Sequence, residues 1–282
     1  LRNGIAAGSC GRRWHYDELK SLFGGTKMNR NIFMRRLGVA AALVAVLAVA
    51  AGAPVLQAQP EAGSISTGAG VQVWNGHSCP ANVPVNIAGL SAGLGGYETK
   101  VAWPAGRFDN TAANVGVTVS PYLTNSGTRT NSSAGGTPLL KAVSGDTVKF
   151  GDYSWGAGNP PGNMANGQLA TVALLPTATC GAAALTMSET QLVDINGAVI
   201  GLTGQTGSSV NVFSRFDTSG SGPLINTQDV QAVLQRLNQP VGGACGPNYR
   251  YDTSLGGPLI NTQDVQAVLQ KLNQPVGSVC VN

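Results

Sequence analysis

A 21-residue segment near the C-terminus, GPLINTQDVQAVLQRLNQPVG from Gly222 to Gly242, recurs from Gly257 to Gly277 with one change, Arg236 to Lys271. Two copies at a period of 35 residues are too few for a solenoid, so the pair forms one small domain in which each copy buries the apolar face of the other. Each copy carries its own helix signals. Asn226 is a good N-cap, Asp229 occupies the third helical position, and Val230, Val233, Leu234 and Leu237 follow at helical spacing as one apolar stripe. The second copy repeats this with Asn261, Asp264, Val265, Val268, Leu269 and Leu272, while Pro240 and Pro275 stop the helices shortly after.

Ahead of each helix lies a turn-rich loop, Asp217-Thr-Ser-Gly-Ser-Gly-Pro in the first copy and Asp252-Thr-Ser-Leu-Gly-Gly-Pro in the second. An opening Asp, oxygen side chains two and four residues on, a Gly, and a closing Asp on the first helical turn resemble the calcium loop of dockerins. The resemblance covers nearly all of residues 216–280. By position it implies a first calcium shell of Asp217, Ser219, Ser221 and Asp229, and a second of Asp252, Ser254 and Asp264. It also implies docking through the helix-start residues Thr227, Gln228, Thr262 and Gln263. The departures weaken the metal expectation, because Ca²⁺ takes six to eight oxygens and each loop offers two carboxylates. Gly256 supplies no ligand where the first copy has Ser221, and the two Asp of each loop stand one residue further apart than in the family. The alternative is that Asp229 and Asp264 serve the helix N-termini by charge-dipole interaction. Calcium is thus expected to be bound weakly or not at all.

Between residues 64 and 212 the chain alternates apolar and polar residues in short runs, such as Val71-Gln-Val-Trp, Val83-Pro-Val-Asn-Ile, Val115-Gly-Val-Thr-Val and Leu169-Ala-Thr-Val-Ala-Leu-Leu. Period two over many short runs predicts an antiparallel β-sandwich, so the protein is expected to be mainly β with a small α-helical domain at residues 213–282. Gly93-Leu-Gly-Gly and Asn196-Gly197 read as turns that supply positive-φ positions. In order, VPVNIAGLSAGLGGYETKVAW, GDYSWGAG, GQLATVALL and LTMSETQLVDINGAVIG resemble a cohesin, the jelly-roll type of sandwich that binds dockerins. Ala102-Trp103-Pro104 stands where cohesins show Tyr-Asp-Pro, and cysteines are not part of their pattern.

Met28 opens a basic stretch (Arg30, Arg35, Arg36) followed by the apolar run Leu37 to Ala51, the layout of a secretory signal peptide over residues 28–58. Its apolar core is shorter than the ~20 residues that span a bilayer. Residues 1–27 fit neither a targeting segment nor a domain and read as translated leader. Eight of the seventeen basic residues precede residue 37; from Gln59 onward nine basic residues face eleven acidic ones, about −2, with no run of either sign. Nothing in that balance points to nucleic acid or an anionic membrane. Removing the leader leaves Cys79, Cys180, Cys245 and Cys280, an even number in an exported chain, and disulfides are expected. Three pairings exist. Domain membership favours Cys79 with Cys180 and Cys245 with Cys280, the second acting as the staple of the small domain at about 3 kcal/mol.

Residues able to do chemistry are few. Outside the leader there is one histidine, His77, which reads as a surface strand residue and leaves no His-based triad. Glu98, Asp109, Asp152 and Glu189 could be imagined as a glycosidase pair, but alternation puts exposed carboxylates on solvent faces. Tyr97, Trp103, Tyr122, Tyr153 and Trp155 either line a sugar-binding face or fill the core, with Tyr153 and Trp155 the candidates for carbohydrate. The expected function is that of a secreted or cell-surface, non-catalytic assembly protein with cohesin- or dockerin-bearing partners, linked by resemblance to polysaccharide breakdown. The competing expectation is a carbohydrate-binding sandwich with a stabilising tail.

Overall fold

Strands form where small and β-branched residues alternate with polar ones, and the buried positions of these strands follow that alternation. In Ala81–Ala88, for example, Ala81, Val83, Val85 and Ile87 point inward. The computed structural model describes residues 62–124, 130–131, 136–155 and 162–280, all within one compact unit spanning Ala58–Asn282. The leader and signal peptide expected over residues 1–58 lie outside the described residues. In chain order the strands are β1 (Ala62–Thr67), β2 (Val71–Trp74), β3 (Ala81–Ala88), β4 (Leu94–Ala102), β5 (Val115–Val119), β6 (Thr130–Asn131) and β7 (Leu140–Val143). They continue with β8 (Thr147–Trp155), β9 (Gly167–Leu174), β10 (Gly181–Ala184), β11 (Thr186–Asp194), β12 (Val199–Thr206) and β13 (Ser209–Phe213).

Two layers enclose one core. One runs β5-β9-β3-β1 and the other β11-β4-β8 with β6 and β7 on β8, and β12 joins them: Val199 and Ile200 pair with β11, whereas Gly201 to Thr206 pair with β1. Between the layers lie Ile65, Val83, Val85, Val101, Phe150, Val172 and Leu192. The antiparallel expectation needs one correction. β1 runs parallel to β12, and β2 runs parallel to β13, because the first strands of the sandwich are closed by its last ones. A second correction concerns Gly93-Leu-Gly-Gly, which is not a positive-φ turn. A Cβ on Gly93 would meet Gly162 N at 2.2 Å and one on Gly95 would meet Asp194 O at 2.3 Å, so these glycines allow backbones to touch. Gly197, at φ +82, is the positive-φ turn residue expected.

The duplicated segments give helices α1 (Thr227–Leu234) and α2 (Thr262–Leu269), each closed at its start by a capping box. Asn226 Oδ1 accepts from Gln228 N at 2.7 Å while Asp229 Oδ2 accepts from Asn226 N at 2.9 Å, and Asn261 and Asp264 repeat this at 2.7 and 2.8 Å. Replacing Asn226 by Ala is expected to cost about 1 kcal/mol, read as a shift in the denaturant midpoint at unchanged slope. The copies exchange backbone bonds reciprocally. Ile225 N donates to Gln274 O and Asn273 N to Ile225 O, just as Ile260 N donates to Gln239 O and Asn238 N to Ile260 O. Ile225, Val233, Ile260 and Val268 are fully buried between them. The expected stripe is narrower than its sequence suggests: helices of eight residues bury one valine each, and Leu234 and Leu269 stay 46 % and 48 % exposed. Asn238 and Asn273, at φ +62 and +63, rather than the prolines further on, turn the chain out of each helix.

Candidate functional site

The tail packs on one end of the sandwich, and the residues that hold it there are largely those with no expected role. Trp74, at the end of β2, stacks on Phe213 at 5.3 Å between ring centroids, meets the edge of Tyr249, and lies under the Arg250 guanidinium at 5.2 Å. Its Nε1 donates to Asp217 O at 2.8 Å. Asn75 Nδ2 donates to Cys280 O at 2.8 Å, Asn75 Oδ1 accepts from Arg215 N at 2.9 Å, and Ser214 Oγ donates to Val279 O at 3.1 Å. His77 is not a surface strand residue. It sits in the turn after β2, 8 % exposed, edge-on to Tyr249 at 5.3 Å, with Nε2 buried and unpartnered. Burial first, and Arg215 second, lower its pKa to about 4, with Asp264 opposing them.

The four cysteines among the described residues are all in disulfides, but the pairing is Cys79 with Cys245 and Cys180 with Cys280, with Cα separations of 5.0 and 5.6 Å. The expectation of one bond inside each half is overturned, and with it the idea of Cys245–Cys280 as an internal staple. Cys245 and Cys280 hold equivalent places in two copies related by a half-turn, so they leave the pair in different directions. Each meets a different loop of the sandwich, the one before β3 and the one before β10.

In the first loop, Asp229 is fully buried and Asp217 is 2 % exposed. Asp229 Oδ1 accepts from Ser219 N at 2.9 Å and Ser219 Oγ at 2.7 Å, and Ser219 Oγ lies 2.9 Å from Ser221 Oγ. Asp217 Oδ1 has no partner. Burial, then the charge of Asp229, push the Asp217 carboxyl up to about 6. Two carboxyls in contact, one orphaned oxygen and two hydroxyls are oxygen donors of the kind a hard divalent cation takes, but fewer than its six to eight. In the second loop Asp264 Oδ1 likewise accepts from Ser254 N and Oγ, but Asp252 Oδ1 is taken by Gly256 N at 3.3 Å. Burial and Asp264 raise the Asp252 carboxyl too. No group of three or more His, Cys, Asp or Glu side chains suited to a metal occurs among the described residues. Thr227, Gln228, Thr262 and Gln263 are all exposed beside these loops, with Gln228 Oε1 accepting from Ser221 Oγ at 3.0 Å.

At the other end of the sandwich lies a second surface. Phe108 bridges Pro176 and Arg107 donates to Cys180 O, which puts the Ala102 end of β4 beside the tail; Gly96 is then about 20 Å away along the strand. There the outer face of β11-β4-β8-β7 has a floor of Gly96 and Gly151 between Tyr153, Leu140, Gln191 and Val193, enclosing about 240 Å³. A Cβ on Gly151 would meet Tyr97 O at 2.5 Å, so the floor cannot be filled in place. Tyr153 and Trp155 are 44 % and 48 % exposed, their centroids 5.6 Å apart and their planes tilted by 45°. Tyr97, Trp103 and Tyr122 are core residues. The carboxylates once imagined as a glycosidase pair are otherwise engaged. Lys149 bridges Glu98 at 2.6 Å and Glu189 at 3.4 Å, Lys100 holds Glu189 at 3.0 Å, Asp109 caps Thr111 and Asn114, and Asp152 is buried. Hydrogen bonding, to Lys100 for Glu189 and to the Thr111 backbone for Asp109, lowers both pKa values, the wrong direction for a general acid. No helix among the described residues is long and apolar enough to cross a membrane.

No protein-family model matches the chain, and no curated protein matches it. Among solved structures it is similar to a non-cellulosomal cohesin from the archaeon Archaeoglobus fulgidus, at 17% identity over 56% of this chain and 96% of that one, with a TM-score of 0.37. It is also similar to the cohesin module of a Clostridium perfringens family 33 glycoside hydrolase, at 14% identity over 55% and 99%, TM-score 0.40. A third is a chain of a type I cohesin-dockerin complex from Clostridium thermocellum, at 9% identity over 55% and 99%, TM-score 0.36.

Proposed function

We propose that the chain is an exported, non-catalytic assembly protein of the cohesin-dockerin kind, with two docking surfaces at opposite ends of one welded body. The observation that carries this reading is that Thr227, Gln228, Thr262 and Gln263 are exposed while the aspartates beside them are buried. The tail is held to the sandwich by other residues, so both helix starts face outward. The glycine-floored face of β11-β4-β8-β7, rimmed by Tyr153, Trp155 and Leu140, is the second surface, and it takes the loop-helix module of another protein. Two disulfides suit an oxidising, extracytoplasmic location. Ca²⁺, where bound, is held by Asp217, Asp229, Ser219 and Ser221; it supplies charge neutralisation to the buried carboxylates, and two carboxylates make the affinity low.

The test is capture by the intact chain from the secreted proteins of its source, with partners identified by mass spectrometry. Partners bearing cohesin or dockerin modules are expected. Changing Tyr153 and Trp155 together to Ala is expected to weaken capture of dockerin-bearing partners by at least about tenfold without moving the melting temperature, because both rings are half in solvent. Capture indifferent to both surfaces sinks the reading. Because the helix starts are duplicated, replacing Thr227 and Gln228 by Ala leaves affinity for a cohesin-bearing partner nearly unchanged, and a large loss refutes two equivalent poses.

The exposed aromatic pair also favours a second reading, a carbohydrate-binding face. With planes 45° apart, a pyranose ring stacks on one ring rather than across both. Retention on cellulose, xylan or chitin that Trp155→Ala abolishes supports it.

A further inference from the structure

The two loops are written in nearly the same residues, yet they differ at the positions that decide what a loop can hold. Resting on the reading of the first loop as a cation site, we infer that the duplicated tail takes one divalent cation, not two, and that the second loop has lost its site.

Gly220, at φ +68, takes the left-handed turn of the first loop without a side chain. Leu255 takes the same turn at φ +57, a conformation that a γ-branched residue adopts only when its surroundings hold it there. Its side chain lies over a hollow of about 400 Å³ at the sandwich end, beside Pro176 and Arg215. Next, Ser221 Oγ in the first loop stands 2.9 Å from Ser219 Oγ and donates to Gln228 Oε1 at 3.0 Å, whereas Gly256 has no side-chain oxygen. Backbone N–H groups of the turn reach both first carboxylates, those of Gly220 and Ser221 at Asp217 and those of Leu255 and Gly256 at Asp252, so this bond is common to the two loops. One oxygen of Asp217 is nonetheless buried without a partner. A cation needs oxygens that are free to face it. The first loop has a buried, unpartnered carboxylate oxygen and two hydroxyls in place, while the second has one hydroxyl and a leucine where the first has a glycine.

The second helix start tolerates the difference. Asp264 keeps every bond that Asp229 makes, with Ser254 N, Ser254 Oγ and Asn261 N, so the helix start survives without the site. What has gone is confined to the residues that would face a metal.

The experiment is isothermal titration of the full oxidised chain with Ca²⁺, together with Asp217→Asn, Asp252→Asn and the paired reversion Leu255→Gly with Gly256→Ser. One cation per chain is expected, abolished by Asp217→Asn and kept by Asp252→Asn, and the reversion is expected to raise the stoichiometry to two. Circular dichroism of each variant establishes that it is folded. Two cations in the unaltered chain, or loss of binding with Asp252→Asn alone, overturns the inference while leaving the first loop a cation site. No heat at all in the unaltered chain overturns the cation reading itself.

Discussion

Serine in place of both Cys79 and Cys245 lowers the unfolding free energy of the chain by about 5 kcal/mol, and serine in place of Cys180 and Cys280 lowers it by nearly as much. The bonds close loops of 166 and 100 residues, and a crosslink over such spans removes that much loop-closure freedom from the unfolded chain. A bond inside the tail, as domain membership suggests, would close a much shorter loop and be worth less. The two loops overlap, so removing both bonds costs less than the sum of the single removals. Denaturant unfolding of the oxidised chain and the two paired variants gives the numbers. Non-reducing digestion gives the pairing: a peptide linking Cys79 to Cys180 would refute the described architecture outright.

The second large effect is acid sensitivity carried by His77. Its pKa of about 4 in the fold lies below the 6.5 of an exposed histidine, because it is buried against Tyr249 with Arg215 nearby. Between those values the unfolded chain binds a proton that the native one refuses. Stability therefore falls as pH drops from 6.5 toward 4, by about 3 kcal/mol, and is flat above that window. Asp217 works against this: its carboxyl, raised to about 6, takes up a proton in the fold before it does so unfolded, so its contribution grows as pH falls from about 6. The difference between the chain and His77→Phe isolates the histidine, since phenylalanine keeps the ring against Tyr249 and cannot titrate. A difference that does not change between pH 7 and 4 contradicts a buried neutral His77.

What the sequence made legible was local. Period-two runs became β2, β3, β5 and β9 near the expected positions, and Asn226 and Asn261 cap their helices because capping depends on residues within one turn. What it hid was contact between the halves. Trp74, Asn75 and His77 lie in or just after a short strand, and nothing in their spacing tells that the end of that strand is covered by a tail some 140 residues later. The cysteine pairing was misread for the same reason, since assigning partners by domain assumes that domains do not share a surface. Leu234 and Leu269 fit the helical stripe, but only the packing of two very short helices decides how wide a stripe they bury. Tyr153 and Trp155 were separable from Tyr97 and Trp103 only once the sheet gave each residue a side.

The disulfides also set an order of events for a chain that emerges N-terminus first. In an oxidising compartment Cys79 and Cys180 would both be available while Cys245 is still 65 residues short of arriving, and Cys280 later still. The cysteine that follows Cys79 in the chain is therefore not its partner in the fold. A Cys79–Cys180 bond formed at that stage would have to be opened by thiol-disulfide exchange before the tail could be fastened. Yield of the native protein then depends on isomerase activity more than on oxidising power, and a host strong in the second and poor in the first accumulates a sandwich bonded to itself with its tail hanging free.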